Sequence, residues 1–204
     1  VCTSMVAYTL SRRDFVLRKP FQLLFVVTMY VGGGMIPEYL LIIRTLKLGN
    51  NFMVYILPGL MWVYNMILVR SYIDGLPMAL QEAAKLDGAN DFQIWYKVVM
   101  PLCKPVIATV GLYYAVGQWN SYFNALIYIR SESLQPLQIV LRSILVGNQT
   151  MSAMSTGAAA VEAKQMADLI KYAIIVVSSA PIMCMYPLVQ KYFNQGVMLG
   201  SLKG

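Results

Sequence analysis

Four stretches of mostly apolar sequence, 21–43, 52–72, 106–129 and 169–188, are each long enough to cross a bilayer, which takes about 20 residues of helix. No other feature limits the fold as tightly. In hydrocarbon every backbone N–H and C=O must be paired, and an α-helix achieves this within one segment. The expectation is therefore an all-α, polytopic helical membrane protein, with 1–204 as a single transmembrane domain. Composition points the same way: 58% of residues are hydrophobic and 12% charged, against about a quarter charged in a typical soluble domain. Residues 1–11 read as the end of one more spanning helix that begins before Val1. The basic start, short apolar core and cleavage site of a signal peptide do not follow one another there.

Charge sets the orientation. Arg12, Arg13, Arg18 and Lys19 lie between the first helix end and 21–43, and short basic loops stay in the cytoplasm. Alternation then places the turn 47–51 outside, 74–104 inside, 130–168 outside and the tail 190–204 inside. With this assignment ten Lys and Arg (12, 13, 18, 19, 70, 85, 97, 104, 191, 203) fall inside and six (44, 47, 130, 142, 164, 171) outside. The formal net charge of +7 is thereby explained by topology, leaving no reason to invoke nucleic acid. Within the spans, Gly32-Gly33-Gly34 with Pro37, Pro58-Gly59, and Pro181 with Pro187 are helix breakers. Backbone groups freed at such breaks need neighbouring helices, hydroxyls or water, which favours a bundle packed around a pathway; for the three glycines, close helix contact is an equal reading.

Residues 74–104 are too polar to cross, since Asp74, Glu82, Lys85, Asp87, Asp91 and Lys97 recur every few positions. They still carry helical periodicity. Leu76, Leu80, Ala83, Ala84 and Leu86 fall at helical spacing, which predicts one packed face and one presented face. Gly88 suits the left-handed residue that ends a helix, and Asn90 or Asp91 can cap a second one bearing Phe92, Trp95, Val98 and Val99 until Pro101 and Pro105 break the pattern.

Glu82-Ala83-Ala84, three residues, Gly88, then twelve residues and Pro101, held between two membrane spans, looks like the EAA loop of the permease subunits of bacterial ABC importers. Gly33-Gly34-Met35-Ile36-Pro37 and Trp119-Asn120-Ser121 resemble the carbohydrate branch and its maltose-type second permease. The tail Gln190-Lys191-Tyr192-Phe193 with Gly196, Gly200, Lys203 and Gly204 resembles the oligosaccharide permeases within it. Met100 departs from the Leu usual before the motif's proline. The resemblance implies a MetI-like transmembrane domain in an inner membrane, working by alternating access. Its implied partners are a second permease, two ATP-binding cassette subunits beneath, and an extracytoplasmic solute-binding protein that delivers an oligosaccharide. It also implies that Glu82, Ala83, Ala84, Asp87, Gly88 and Pro101 belong to a coupling helix-turn-helix that docks on an ATPase subunit. No cofactor is implied for this chain; ATP and Mg are used by the partner subunits, in keeping with the absence of a GxxxxGK[ST] loop here.

A candidate substrate route lies in 106–129. Tyr113, Gly117, Asn120 and Asn124 share one face of a continuous helix, with Tyr114, Gln118 and Ser121 beside it. Amides next to aromatic rings suit the hydroxyls and apolar faces of sugars, and they equally suit hydrogen bonding between membrane helices. In the outer segment 130–168, Leu137, Val140, Leu141, Ile144 and Leu145 predict a short amphipathic helix, followed by a flexible Ser, Thr, Gly and Ala stretch around 150–160.

Rival functions lack their chemistry. An ion-coupled secondary carrier usually shows inverted repeats and intramembrane charges, and neither is evident. A polytopic membrane enzyme needs a nucleophile with its base or a set of metal ligands. His is absent, Cys2, Cys103 and Cys184 have no ligand spacing, and Ser178-Ser179 have no Lys or His nearby. Neither a metal site nor a disulfide framework is expected.

Overall fold

The computed structural model describes residues 1–154 and 158–201, and the described residues form helices and no strand. In chain order these are α1 (Cys2–Ser11), α2 (Arg18–Tyr30), α3 (Met35–Thr45, closing in a π-turn), α4 (Met53–Ile56), α5 (Val63–Asp74), α6 (Met78–Leu86), α7 (Asp91–Leu102), α8 (Lys104–Trp119), α9 (Phe123–Tyr128), α10 (Leu137–Met154) and α11 (Ala158–Ser201). They fall into two compact units. The first comprises Val1–Leu40, Ile56–Tyr114 and Val189–Gly204, the second Leu41–Tyr55 and Ala115–Leu188.

The first unit is organised around one apolar cluster. Ala7, Tyr8 and Leu10 of α1 and Met66, Val69 and Ile73 of α5 meet Ile94, Trp95, Val99 and Cys103 at α7 and Val106 and Val110 of α8. In the second unit Ile42, Leu48 and Val54 pack with Ala125, Tyr128 and Ile129. Much apolar surface is left over. Among the described residues α2 buries no side chain, and the apolar window of α11 is 0% buried. Uncovered apolar helix faces on this scale belong against lipid or against other subunits.

The breakers act unevenly. Among the described residues, by length and composition only Val161–Pro187, within α11, is a single continuous helix able to cross a bilayer; α2 with α3 and α7 with α8 reach the same standard as pairs bent by 111° and 85°. The first bend falls at 31–34, where Gly34 adopts φ +85, a conformation open to glycine without strain. Stretch 52–72 is divided at Pro58-Gly59, and the backbone N–H of Trp62 donates to the Tyr114 hydroxyl at 2.8 Å. That hydroxyl supplies the partner which a broken helix loses. Pro181 and Pro187 do not interrupt α11, contrary to their reading as breakers. Close to the first of them, Trp119 Nε1–H donates to the Ser178 carbonyl, one turn before Pro181, at 2.9 Å.

The segment 130–168 holds more helix than expected. α10 runs from Leu137 to Met154 and α11 begins at Ala158. Of the predicted flexible stretch, 155–157 lie outside the described residues, as do Lys203 and Gly204 of the tail.

Candidate functional site

The motif spacing is explained by how α6 ends. Counting back from the turn, Ala84 is the third residue from the helix end, Asp87 the cap, Gly88 the residue after it and Ala89 the next. Ala89 N–H donates to the Ala84 carbonyl at 3.0 Å and Gly88 N–H to the Lys85 carbonyl at 3.0 Å. This is the Schellman arrangement, which needs a left-handed residue at the Gly88 position, and Gly88 has φ +79. Ala84 and Ala89, the pair that closes this motif, both pack against the first unit's core. A second cap follows at once. Asn90 Oδ1 accepts from Gln93 N–H at 2.8 Å while Gln93 Oε1 accepts from Asn90 N–H at 3.0 Å, a reciprocal capping box that starts α7.

The face that α6 packs differs from the expected one. Gln81 is buried and Ala84 partly so, whereas Leu80 and Ala83 are exposed and Leu86 is 90% exposed. The short turn between two caps dictates this rotation, because seating Ala84 and Ala89 on the core carries Leu86 to the opposite side. On α7, Ile94, Trp95 and Val99 are buried, while Phe92 and Tyr96 are exposed. The loop therefore presents Leu80, Leu86, Phe92 and Tyr96 together with Glu82, which forms no ion pair with a described residue. Ala84, Asp87 and Gly88 line a cleft of about 400 Å³ with Gln93 and Lys97.

Pro101 lies inside α7 rather than at its end, and the corner sits at Cys103, between the two prolines. A π-turn over Ile94–Val99 precedes Pro101, and such a turn accommodates a residue without an N–H. Pro105 occupies the first turn of α8, where its N–H would be unpaired in any case. Pro101 lines a groove of about 690 Å³ with Tyr96, Lys97, Met100, Lys104 and Ile107. The buried Cys103 thiol is pushed up to about 12 by desolvation, which leaves it an inert core group.

One cluster escaped the sequence reading. Arg12 Nη1 lies 3.0 Å from Asp91 Oδ1, and its Nη2 lies 2.7 Å from Asp14 Oδ2. Lys85 Nζ reaches the same Asp14 oxygen at 3.1 Å. Arg18 and Arg70 approach Asp74 at 3.8 and 3.4 Å. Arg12, and after it Lys85, hold the Asp14 carboxyl well below the usual carboxylate range. In the sequence Arg12 reads as topology and Asp91 as a candidate cap, since nothing local in a single sequence pairs residue 12 with residue 91.

The predicted route residues are divided. The helix stops at Trp119 and resumes at Phe123, so the shared face holds for Tyr113 and Gly117 and does not extend to Asn120 and Asn124. Asn and Ser compete with the helix for backbone hydrogen bonds, which explains the interruption. Tyr114 is engaged within the first unit, bonded to Thr3 Oγ1 at 2.8 Å as well as to Trp62. Gln118 and Ser121 come together in the second unit with Phe52, Tyr55, Ser133 and Gln135 around a pocket of about 350 Å³. Gln118 Nε2–H donates to the Tyr55 carbonyl at 2.7 Å, and the Tyr55 hydroxyl donates to the Leu134 carbonyl at 3.0 Å. Phe52, Tyr55 and Gln135 were missed because they lie on segments distant in sequence. Ser178 Oγ–H donates to the Ile175 carbonyl of its own helix, as a packing serine does.

The wall of that pocket is anchored by Asn50, which has φ +53. Its Oδ1 accepts from the N–H groups of Arg130 and Ser131 at 3.0 and 2.9 Å, and its Nδ2–H donates to Ser131 Oγ at 2.8 Å. Its own N–H donates to the Tyr128 carbonyl at 2.8 Å.

A family model described as binding-protein-dependent transport system inner membrane component matches residues 2–199. The polygalacturonan/rhamnogalacturonan transport system permease protein YtcP of Bacillus subtilis is 41% identical, covering 99% of this chain and 70% of that protein. Protein LplC of the same species is 38% identical over 99% of this chain and 68% of its own. A crystal structure of a bacterial ABC transporter involved in the import of the acidic polysaccharide alginate contains a chain similar to this one, with a TM-score of 0.78 at 35% identity, covering 95% of this chain and 70% of that one.

Proposed function

The chain belongs to the family of binding-protein-dependent transport system inner membrane components, and from that premise we propose that it is a permease subunit of an ABC importer for a sugar or oligosaccharide. It pairs with a second permease, receives force from two separate ATP-binding cassette subunits, and takes substrate from an extracytoplasmic solute-binding protein. It crosses the inner membrane several times and itself catalyses no reaction.

The observation that carries this reading is the surface of residues 78–102. A well-capped, well-packed loop that nevertheless holds Leu86 and Phe92 in water and leaves Glu82 without an ion pair among the described residues is built for a partner. Burying Leu86 on a second protein contributes on the order of 1.5–3 kcal/mol. Small Ala83 lets another backbone approach, and Glu82 offers a charge to a basic group or helix N-terminus. Segments that topology assigns to one face also meet. Arg12–Asp14 contacts the 74–104 loop, and Asn50 contacts Arg130 and Ser131.

On the substrate side, Phe52 and Tyr55 supply flat apolar surface while Gln118, Ser121 and Gln135 supply paired donors and acceptors. This neutral lining suits saccharide hydroxyls. The test is reconstitution of the whole complex with its binding protein. Glu82→Lys is expected to leave membrane insertion intact and to lower substrate-stimulated ATP hydrolysis and uptake together by about tenfold, the equivalent of ~1.4 kcal/mol. Unchanged stimulation in that variant, or purification without any ATPase subunit, removes the assignment.

A further inference from the structure

Arg12 is unusual among the charged residues of the first unit in being largely removed from water while meeting several partners. Its side chain is 11% exposed. Nε–H and one Nη2–H form a fork on the two oxygens of Asp14 at 3.0 and 2.7 Å, and Nη1–H donates to the Tyr8 hydroxyl at 2.9 Å. The remaining reach, 3.0 Å to Asp91 Oδ1, crosses to the first residue of α7. Asp14 in turn accepts from Lys85, which lies inside the Glu82–Gly88 motif on α6. Both helices of the loop are thus tied to one three-residue stretch at the end of α1. That stretch is itself firmly held, because Tyr8 and Leu10 are buried against Met66, Val69 and Ile73 of α5.

We infer that Arg12 is a positioning residue for the coupling loop, holding α6 and α7 to the end of α1 so that displacement of the loop is delivered to α1 and through it to α5. This rests on the reading of 74–104 as the segment an ATPase subunit grips. Asp14 and Asp91 are 60% and 70% exposed and are hydrated once Arg12 is gone. The network is therefore poorly suited to holding the fold together and well suited to fixing where a surface loop sits. A planar guanidinium fixes direction as well as distance, which an ammonium does not. The depressed Asp14 carboxyl keeps the tie charged: a group of this kind contributes fully above the ordinary carboxylate pKa and is lost only as pH falls below it.

The test uses the complete importer in proteoliposomes with its binding protein, comparing substrate imported per ATP hydrolysed. With Arg12→Gln the complex assembles and ATP hydrolysis continues, while the transport-to-hydrolysis ratio falls about fivefold; Arg12→Lys recovers part of it. A role in folding alone would instead lower assembly and hydrolysis together with the ratio unchanged, and that result overturns the inference. If Arg12→Gln fails to assemble, Asp91→Asn breaks the same tie from its exposed end, and an undiminished ratio there is equally fatal. Glu82→Lys separates the two levels. Lost stimulation of hydrolysis in Glu82→Lys with an undiminished transport-to-hydrolysis ratio in Arg12→Gln sinks the positioning role alone, whereas full substrate-stimulated hydrolysis in Glu82→Lys sinks the docking assignment beneath it.

Discussion

The loop of residues 74–104 and the Asn50 turn solve the same problem, fixing an irregular segment to its neighbours, with opposite chemistry. At the loop, charged side chains add to the apolar seat: the largely buried Arg12 meets Asp14 and Asp91, and Lys85 meets Asp14. At the turn, one short neutral amide meets two backbone N–H groups and a hydroxyl at 2.8 to 3.0 Å. Charged ties keep their hold through small displacements, since attraction falls off gradually with distance. Neutral hydrogen bonds weaken steeply once bent or stretched. The first arrangement suits a part that carries its neighbour with it when displaced, as proposed for the loop, and the second suits a frame that stays in place.

The sharpest way to break this contrast is at Gly88. Gly88→Pro forces φ near −65° where +79 is required and deletes the N–H that closes the α6 cap on Lys85, a cost of ~3 kcal/mol or more. Uptake is expected to fall about a hundredfold while the protein still inserts; retention of even a third of wild-type uptake contradicts the account of the turn. At the other region, Asn50→Ala removes three side-chain hydrogen bonds and leaves alanine in a left-handed conformation that asparagine tolerates better. Thermal unfolding in detergent should show ~2–3 kcal/mol of destabilisation, independent of salt. Asn50→Gly loses the bonds without the strain and should recover about 1 kcal/mol of that; equal losses in the two variants would assign the whole effect to the amide. The smallest effect is expected at the pocket wall. Replacing Gln118 and Ser121 together by alanine should raise the substrate concentration for half-maximal uptake a few-fold, leaving the ratio of transport to hydrolysis unchanged. A fallen ratio would mean that the second unit, too, takes part in transmission.

The helical class was legible because apolar runs of spanning length have few alternatives in lipid. Gly88 and Asn90 were legible because caps are local chemistry read within a handful of residues. What remained hidden depends on distance along the chain. Periodicity marked Leu80, Ala83 and Leu86 as a packed face, yet an apolar stripe reserved for another protein has the same spacing as one reserved for the chain's own core. Arg12 and Asn50 looked like topology and a turn, since their partners at 91 and at 130–131 are brought near only by folding. Likewise the interruption after Trp119 was foreshadowed by Asn120 and Ser121, but whether such residues stop a helix or merely decorate it is settled by competing backbone bonds that composition does not reveal.

Leu86, 90% exposed at the tip of α6, carries a cost whenever this polypeptide is made in excess. A solitary copy would display a greasy knob to the aqueous phase, the kind of surface on which chaperones and quality-control proteases act. Docking on the proposed ATPase partner would conceal it. On that reading the same leucine makes orphan subunits recognisable, and ties the survival of each molecule to a matched supply of its companions.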